Sequence, residues 1–242
     1  MAKHDALPAI MRALMPLTSS HQYSLAEAIK RSVILVALLW IIQSAGVLFN
    51  LPLANLAVYP HAWDRLYGIL SAPLVHSGYE HLFNNTLPLV VLGSALLYGY
   101  PATRNKVLLL VWLGSGIGVW MFAREANHLG ASGIAHGMFF YLFVGAILRR
   151  DARSVGLMLI AFLMYGTMIL TIFPTEPDIS YEAHFFGAVS GGIAALLWWK
   201  QDPKPTIKRY SWENPDEADD PVIGELWQQS PHPDDDEGYK EK

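Results

Sequence analysis

A serine and a histidine are the side chains of this sequence best placed to do chemistry. Ser132 stands in Gly130-Ala131-Ser132-Gly133, and His184 opens His184-Phe185-Phe186-Gly187-Ala188-Val189-Ser190-Gly191. A serine hydroxyl becomes a nucleophile when a neighbouring base takes its proton, and imidazole is the usual base near neutral pH. The chemistry such a pair supports is acyl transfer. Glycines flanking Ser132 allow close backbone approach and a sharp turn into a helix. At that helix N-terminus, unpaired N–H groups and the positive dipole end favour a developing oxyanion. The motif is not the G-x-S-x-G elbow, because Ile134 holds the last position and no parallel sheet is in evidence. Taken alone, it equally describes a helix-packing feature.

The surroundings of His184 favour the chemical reading. His184, Gly187, Ala188, Gly191 and Ala195 share one helical face, and small residues let a second helix approach closely. Gly133 and Gly137 offer a matching smooth surface beside Ser132. The bland alternative is a histidine bonded to a backbone carbonyl. A third cluster adds donors: His81 and Asn85, four residues apart, point the same way and could hold an oxyanion, while Asn84 points roughly 100° away. The same pair could instead satisfy loop backbone, and His76 could brace that loop.

These residues have to be positioned by membrane-spanning helices. The chain is 52% hydrophobic and only 16% charged, against about a quarter charged in soluble domains. Six segments, near 32–49, 80–99, 105–123, 132–149, 154–173 and 183–200, are expected to cross a bilayer at roughly 20 residues each, with the third, fifth and sixth clearest. Lys3, Arg12, Lys30, Arg31, Arg104, Lys106, Arg149, Arg150, Arg153, Lys200, Lys204, Lys208 and Arg209 then fall on one side, and only Arg65 and Arg124 on the other. The basic side is cytoplasmic, so both termini are expected there. Polar groups at membrane depth are costly and default to functional candidates. The even-numbered spans all start outside and deliver His81, Asn85, Ser132, His136 and His184 to one face.

The flanks read differently. Residues 1–30 form a cytoplasmic N-terminal segment with room for a short surface helix over 6–16, and the apolar core begins too late for a cleaved signal peptide. Residues 50–79 are too apolar for a soluble loop and are expected in the outer interface, with Trp63 and Tyr67 as anchors. Residues 201–242 hold 12 of the 21 acidic residues and read as a disordered cytoplasmic tail. Cysteine is absent, which excludes disulfides, iron–sulfur clusters and thiol catalysis. No basic patch suggests nucleic acid.

Together, HSGYEHLFNN (His76, His81, Asn85), GASG (Gly130 to Gly133) and AHFFGAVSG (Ala183 to Gly191) resemble the three signatures of rhomboid proteases, in order and on the matching spans. The resemblance covers roughly residues 30–200. It implies an all-α membrane protein, a six-transmembrane-helix rhomboid-like bundle in a bacterial plasma membrane, using a Ser–His dyad without cofactor or metal. Its substrates would be transmembrane proteins entering laterally from the lipid bilayer. Ser132 would be the nucleophile and His184 the base, with His81, Asn85 and the Ser132 amide stabilising the oxyanion. His76, Gly130, Gly133, His136, Gly187 and Gly191 would support them.

Two positions depart from the family pattern. His136 stands where many members have a tyrosine stacked on the catalytic histidine, and is expected to stack on His184 rather than compete as base. Trp63-Asp64-Arg65 lies about three positions from the usual Trp-Arg and is given no role. Asp178 or Glu182 could extend the dyad to a triad. Two other classes compete: a non-catalytic rhomboid-like protein binding transmembrane clients, whose relatives typically lack the serine or the histidine, and a metal-dependent protein using His76, His81, His136 and His184, for which no HExxH is present.

Overall fold

The computed structural model describes residues 23–174 and 179–205. The 6–16 segment, Asp178 and the chain from 206 onward lie outside the described residues. The chain divides into a unit ending at Lys204 and a second unit from Pro205, and the first carries the fold that follows.

Among the described residues the fold is all-helical, with a single isolated bridge between Val58 and His128. Six long helices follow in order: α1 (Leu25–Leu48), α2 (Tyr79–Gly99), α3 (Arg104–Phe122), α4 (Ser132–Arg149), α5 (Ala152–Tyr165) and α6 (Tyr181–Trp198). Among the described residues, five stretches are long and apolar enough to cross a membrane: α1 to α4, and Ala152–Ile169, which adds a 3₁₀ turn to α5. The sixth does not join them. α6 forms as expected, but Glu182 and His184 in its opening turn dilute its hydropathy, so the span that looked among the clearest is the one that falls short. α1 begins seven residues earlier than expected because Ser24 caps it, accepting from the Glu27 N–H.

The core lies around α4. Ile134, Ala135, Met138, Phe139, Tyr141 and Leu142 are buried on it; α2, α3, α5 and α6 pack around α4, and α1 packs on α2. The opposite condition holds on α5, where Leu163 is 82% exposed, and on α1, where Ile41 is 65% exposed. Such outward apolar surface suits lipid and would be a liability in water.

The segment from Leu53 to Leu74 folds into short helical turns. Trp63 stands 74% exposed with its ring 4.8 Å from that of Trp120, and Arg65 donates to Asn127 at 3.3 Å.

At the far end of the bundle, Arg149 terminates α4 and is buried. Its Nε donates to Asp151 at 2.9 Å and Ser154 at 2.8 Å, and its Nη1 to the Trp199 and Asp202 carbonyls at 2.8 and 3.0 Å. Asp202, which falls in the stretch read as the tail, is buried too: it accepts from the Ala102 N–H at 2.6 Å and the Thr103 hydroxyl at 2.5 Å. The guanidinium thus ties the ends of α4 and α6 together.

Candidate active site

α4 begins at Ser132. The turn before it depends on Gly130, whose φ is +106°. A methyl group there would also lie 2.7 Å from Cε1 and 2.8 Å from Nε2 of His81, so the position needs glycine for conformation and for space. The turn is held by the Gly130 N–H donating to the Ala72 carbonyl at 2.9 Å and the Ala131 N–H donating to His76 Nε2 at 3.4 Å.

α6 meets α4 through the small-residue face read from the sequence. A Cβ at Gly187 would strike the Gly133 carbonyl oxygen, and one at Gly191 that of Gly137. This backbone-to-backbone approach brings Ser132 Oγ within 2.9 Å of His184 Nε2. The second ring nitrogen, Nδ1, lies 3.0 Å from the Thr171 carbonyl. A carbonyl only accepts, so Nδ1 carries the hydrogen, Nε2 is bare, and the serine hydroxyl donates to it. That is the tautomer a general base requires. His184 is buried, whereas Ser132 keeps part of its surface open.

Thr171 was not legible as a site residue, because the atom it gives to His184 is a main-chain oxygen. α5 stops at Tyr165 and the chain turns through Gly166–Ile169, which frees the following carbonyls from helical bonding. Glu182 does not complete a triad: its Oε1 lies 3.4 Å from the Arg124 amide nitrogen and 3.7 Å from Arg124 Nε.

His136 stacks on His184, with ring centroids 3.9 Å apart and planes 11° from parallel. Its Nδ1–H donates to the Ser132 carbonyl at 2.8 Å, which leaves Nε2 to accept from the Thr171 hydroxyl at 2.8 Å. Both nitrogens are engaged, and neither faces the Ser132 hydroxyl as a base.

His81 lies against the Gly130 turn. The Ser77 hydroxyl is 3.1 Å from its Nδ1, and donation there leaves a hydrogen on Nε2, the nitrogen beside Gly130. Asn85 is buried and donates one amide hydrogen to the His81 carbonyl at 2.9 Å, with the second still available. Asn84 is exposed. His76 packs edge-on against His81 at 5.1 Å. Burial, and then the neighbouring His81, pushes its pKa down to about 4, so it is neutral and accepts the Ala131 N–H as a brace. Among the described residues, no three His, Asp or Glu side chains cluster as metal ligands.

A family model for the rhomboid domain matches residues 63–201, more than half of the chain. The chain belongs to the rhomboid family. An uncharacterized protein of Mycobacterium tuberculosis is 29% identical over 171 residues, covering 67% of this chain and 71% of that protein. One of Mycobacterium leprae is 30% identical over 172 residues, covering 67% and 68%. A Bacillus subtilis protein whose name assigns it provisionally to the rhomboid proteases is 30% identical over 151 residues, covering 59% and 71%. Bacterial relatives and several membrane-spanning helices make this rhomboid a multi-pass membrane protein of bacterial type. All three motifs fall inside the matched region.

Proposed function

We propose that this rhomboid is an intramembrane serine endopeptidase that cleaves transmembrane segments of other membrane proteins, with both of its termini in the cytoplasm. The observation carrying this reading is the 2.9 Å bond from Ser132 Oγ to His184 Nε2, with Nδ1 held by a main-chain carbonyl. His184 takes the hydroxyl proton as Ser132 attacks the scissile carbonyl carbon. The resulting oxyanion lies at the N-terminus of α4, where the main-chain amide, the His81 Nε2–H and the free hydrogen of Asn85 serve as donors. Collapse breaks the C–N bond, and His184 returns its proton to the leaving amine. Water then attacks the acyl-enzyme carbonyl and gives a proton to His184; collapse breaks the ester C–O bond, and His184 returns that proton to Ser132 Oγ as the acid product leaves. In a dyad without a carboxylate, stacking by His136 and the Thr171 bond fix the imidazole.

The test is co-expression with tagged single-span substrates, comparing wild type with Ser132→Ala and His184→Ala. Cleavage by wild type alone supports the reading. Uncleaved substrates throughout, or cleavage that survives Ser132→Ala, removes it.

A further inference from the structure

His128 has no part in the chemistry above, yet it is only 3% exposed and engaged on every side. It lies in the loop between α3 and α4. Its backbone N–H and carbonyl pair with those of Val58, both at 2.9 Å, the one bridge in the described fold. Its ring Nε2 lies 2.9 Å from the Arg124 carbonyl, which can only accept, so Nε2 carries the hydrogen. Nδ1 is then bare and accepts from the Ser180 hydroxyl at 2.6 Å.

Ser180 is the N-cap of α6. Its oxygen accepts the Ala183 N–H at 3.3 Å, and its carbonyl accepts the His184 N–H, also at 3.3 Å. With the hydroxyl hydrogen committed to His128, the lone pairs stay turned to the helix. Glu182 Oε2 lies 4.0 Å from the same Nδ1, beyond hydrogen-bond reach, so Ser180 rather than an ion pair sets the ring. Arg124, the other charged group facing the ring, contributes its carbonyl. Four residues beyond His128, the same loop delivers Ser132.

We propose that His128 is a positioning residue: by holding the Ser180 hydroxyl as the cap of α6, it sets the register of His184 against the loop that presents Ser132. The inference rests on the protease reading. It concerns geometry alone, because His128 touches neither substrate nor reacting atoms.

The experiment uses the full chain in liposomes, treated with a fluorophosphonate, reading both the rate of Ser132 modification and the final modified fraction. His128→Leu removes both ring bonds, Ser180→Ala removes the link it acts through, and His128→Gln restores an acceptor and a donor on one side chain. Cap and alignment losses of this kind predict a rate about tenfold lower in the first two variants. The final fraction should match wild type, kcat on a single-span substrate should fall with KM unchanged, and His128→Gln should recover most of the rate. Ser180→Ala keeps the test sharp should His128→Leu fail to fold. Rates within twofold of wild type in a folded Ser180→Ala overturn the inference, as does a lowered final fraction at wild-type rate, the signature of a merely structural role. A wild-type chain that takes no label overturns the protease reading and this inference with it, whereas a labelled wild type with unaffected variants overturns this inference alone.

Discussion

Replacing Gly187 by alanine should separate the proposed nucleophile, Ser132, from the proposed base, His184, without touching either. The new methyl carbon would meet the Gly133 carbonyl oxygen, and the neighbouring contact at Gly191 with Gly137 leaves α6 no room to roll aside. A carbon and a carbonyl oxygen rest about 3.3 Å apart even in close C–H···O contact, so α6 must back away from α4 by about 1 Å. The 2.9 Å bond between Ser132 and His184 then stretches to about 4 Å, past hydrogen-bonding distance. Misplacement of that size costs about 10²-fold in rate, and overpacking of this kind costs ~1–3 kcal/mol of stability. The assay is kcat on a single-span substrate in liposomes, with thermal unfolding measured alongside. Gly192→Ala is the control, since nothing lies within 4 Å of its added methyl, and it should leave kcat unchanged. A folded Gly187→Ala protein with wild-type kcat would refute the claim that helix approach sets the dyad.

Other outcomes follow from the same geometry. His136→Phe keeps the stacked ring but loses two hydrogen bonds, so cleavage should fall by about tenfold or less while remaining measurable; complete loss would reassign the base. His76 has its pKa lowered to about 4 in the folded protein, against 6.5 for a free imidazole, so between those values the unfolded chain binds the extra proton. Its contribution of about 3 kcal/mol is therefore present above pH 6.5 and lost as pH falls toward 4. Unfolding midpoints at pH 7 and pH 4.5 should show this fall, and His76→Gln should flatten it. Arg149→Met leaves Asp151 buried without its cation and strips two carbonyls of a donor, a loss of about 3–5 kcal/mol by denaturant or thermal unfolding.

The sequence made part of this site legible for a physical reason. Nucleophile, base and close helix approach each require particular residue types, so Ser132, His184 and the Gly187–Gly191 face stand out against apolar surroundings. The stacking of His136 was expected from the resemblance, because it stands where many family members have a stacked tyrosine, and the rings do lie nearly parallel. Thr171 did not stand out, because any residue could supply its carbonyl to His184, nothing in its spacing links its hydroxyl to His136, and nothing but Gly166 marks the end of α5. Asp202 was hidden at the start of a Pro-, Asp- and Glu-rich segment whose composition favours solvent, although Ala102 and Thr103 hold it. His128 carries no helical spacing that links it to Ser180; only the folded loop brings them together. The hydropathy of α6 falls short of the other spans because its first turn holds the buried Glu182 and His184.

The Ser132 hydroxyl should be made nucleophilic by His184 alone. Treating the lipid-embedded protein with a fluorophosphonate and mapping the adduct by peptide mass measures this. The geometry predicts one adduct on Ser132 in wild type and none in His184→Ala. Modification of Ser132 at equal speed without His184, or no modification of an intact wild-type chain, contradicts it.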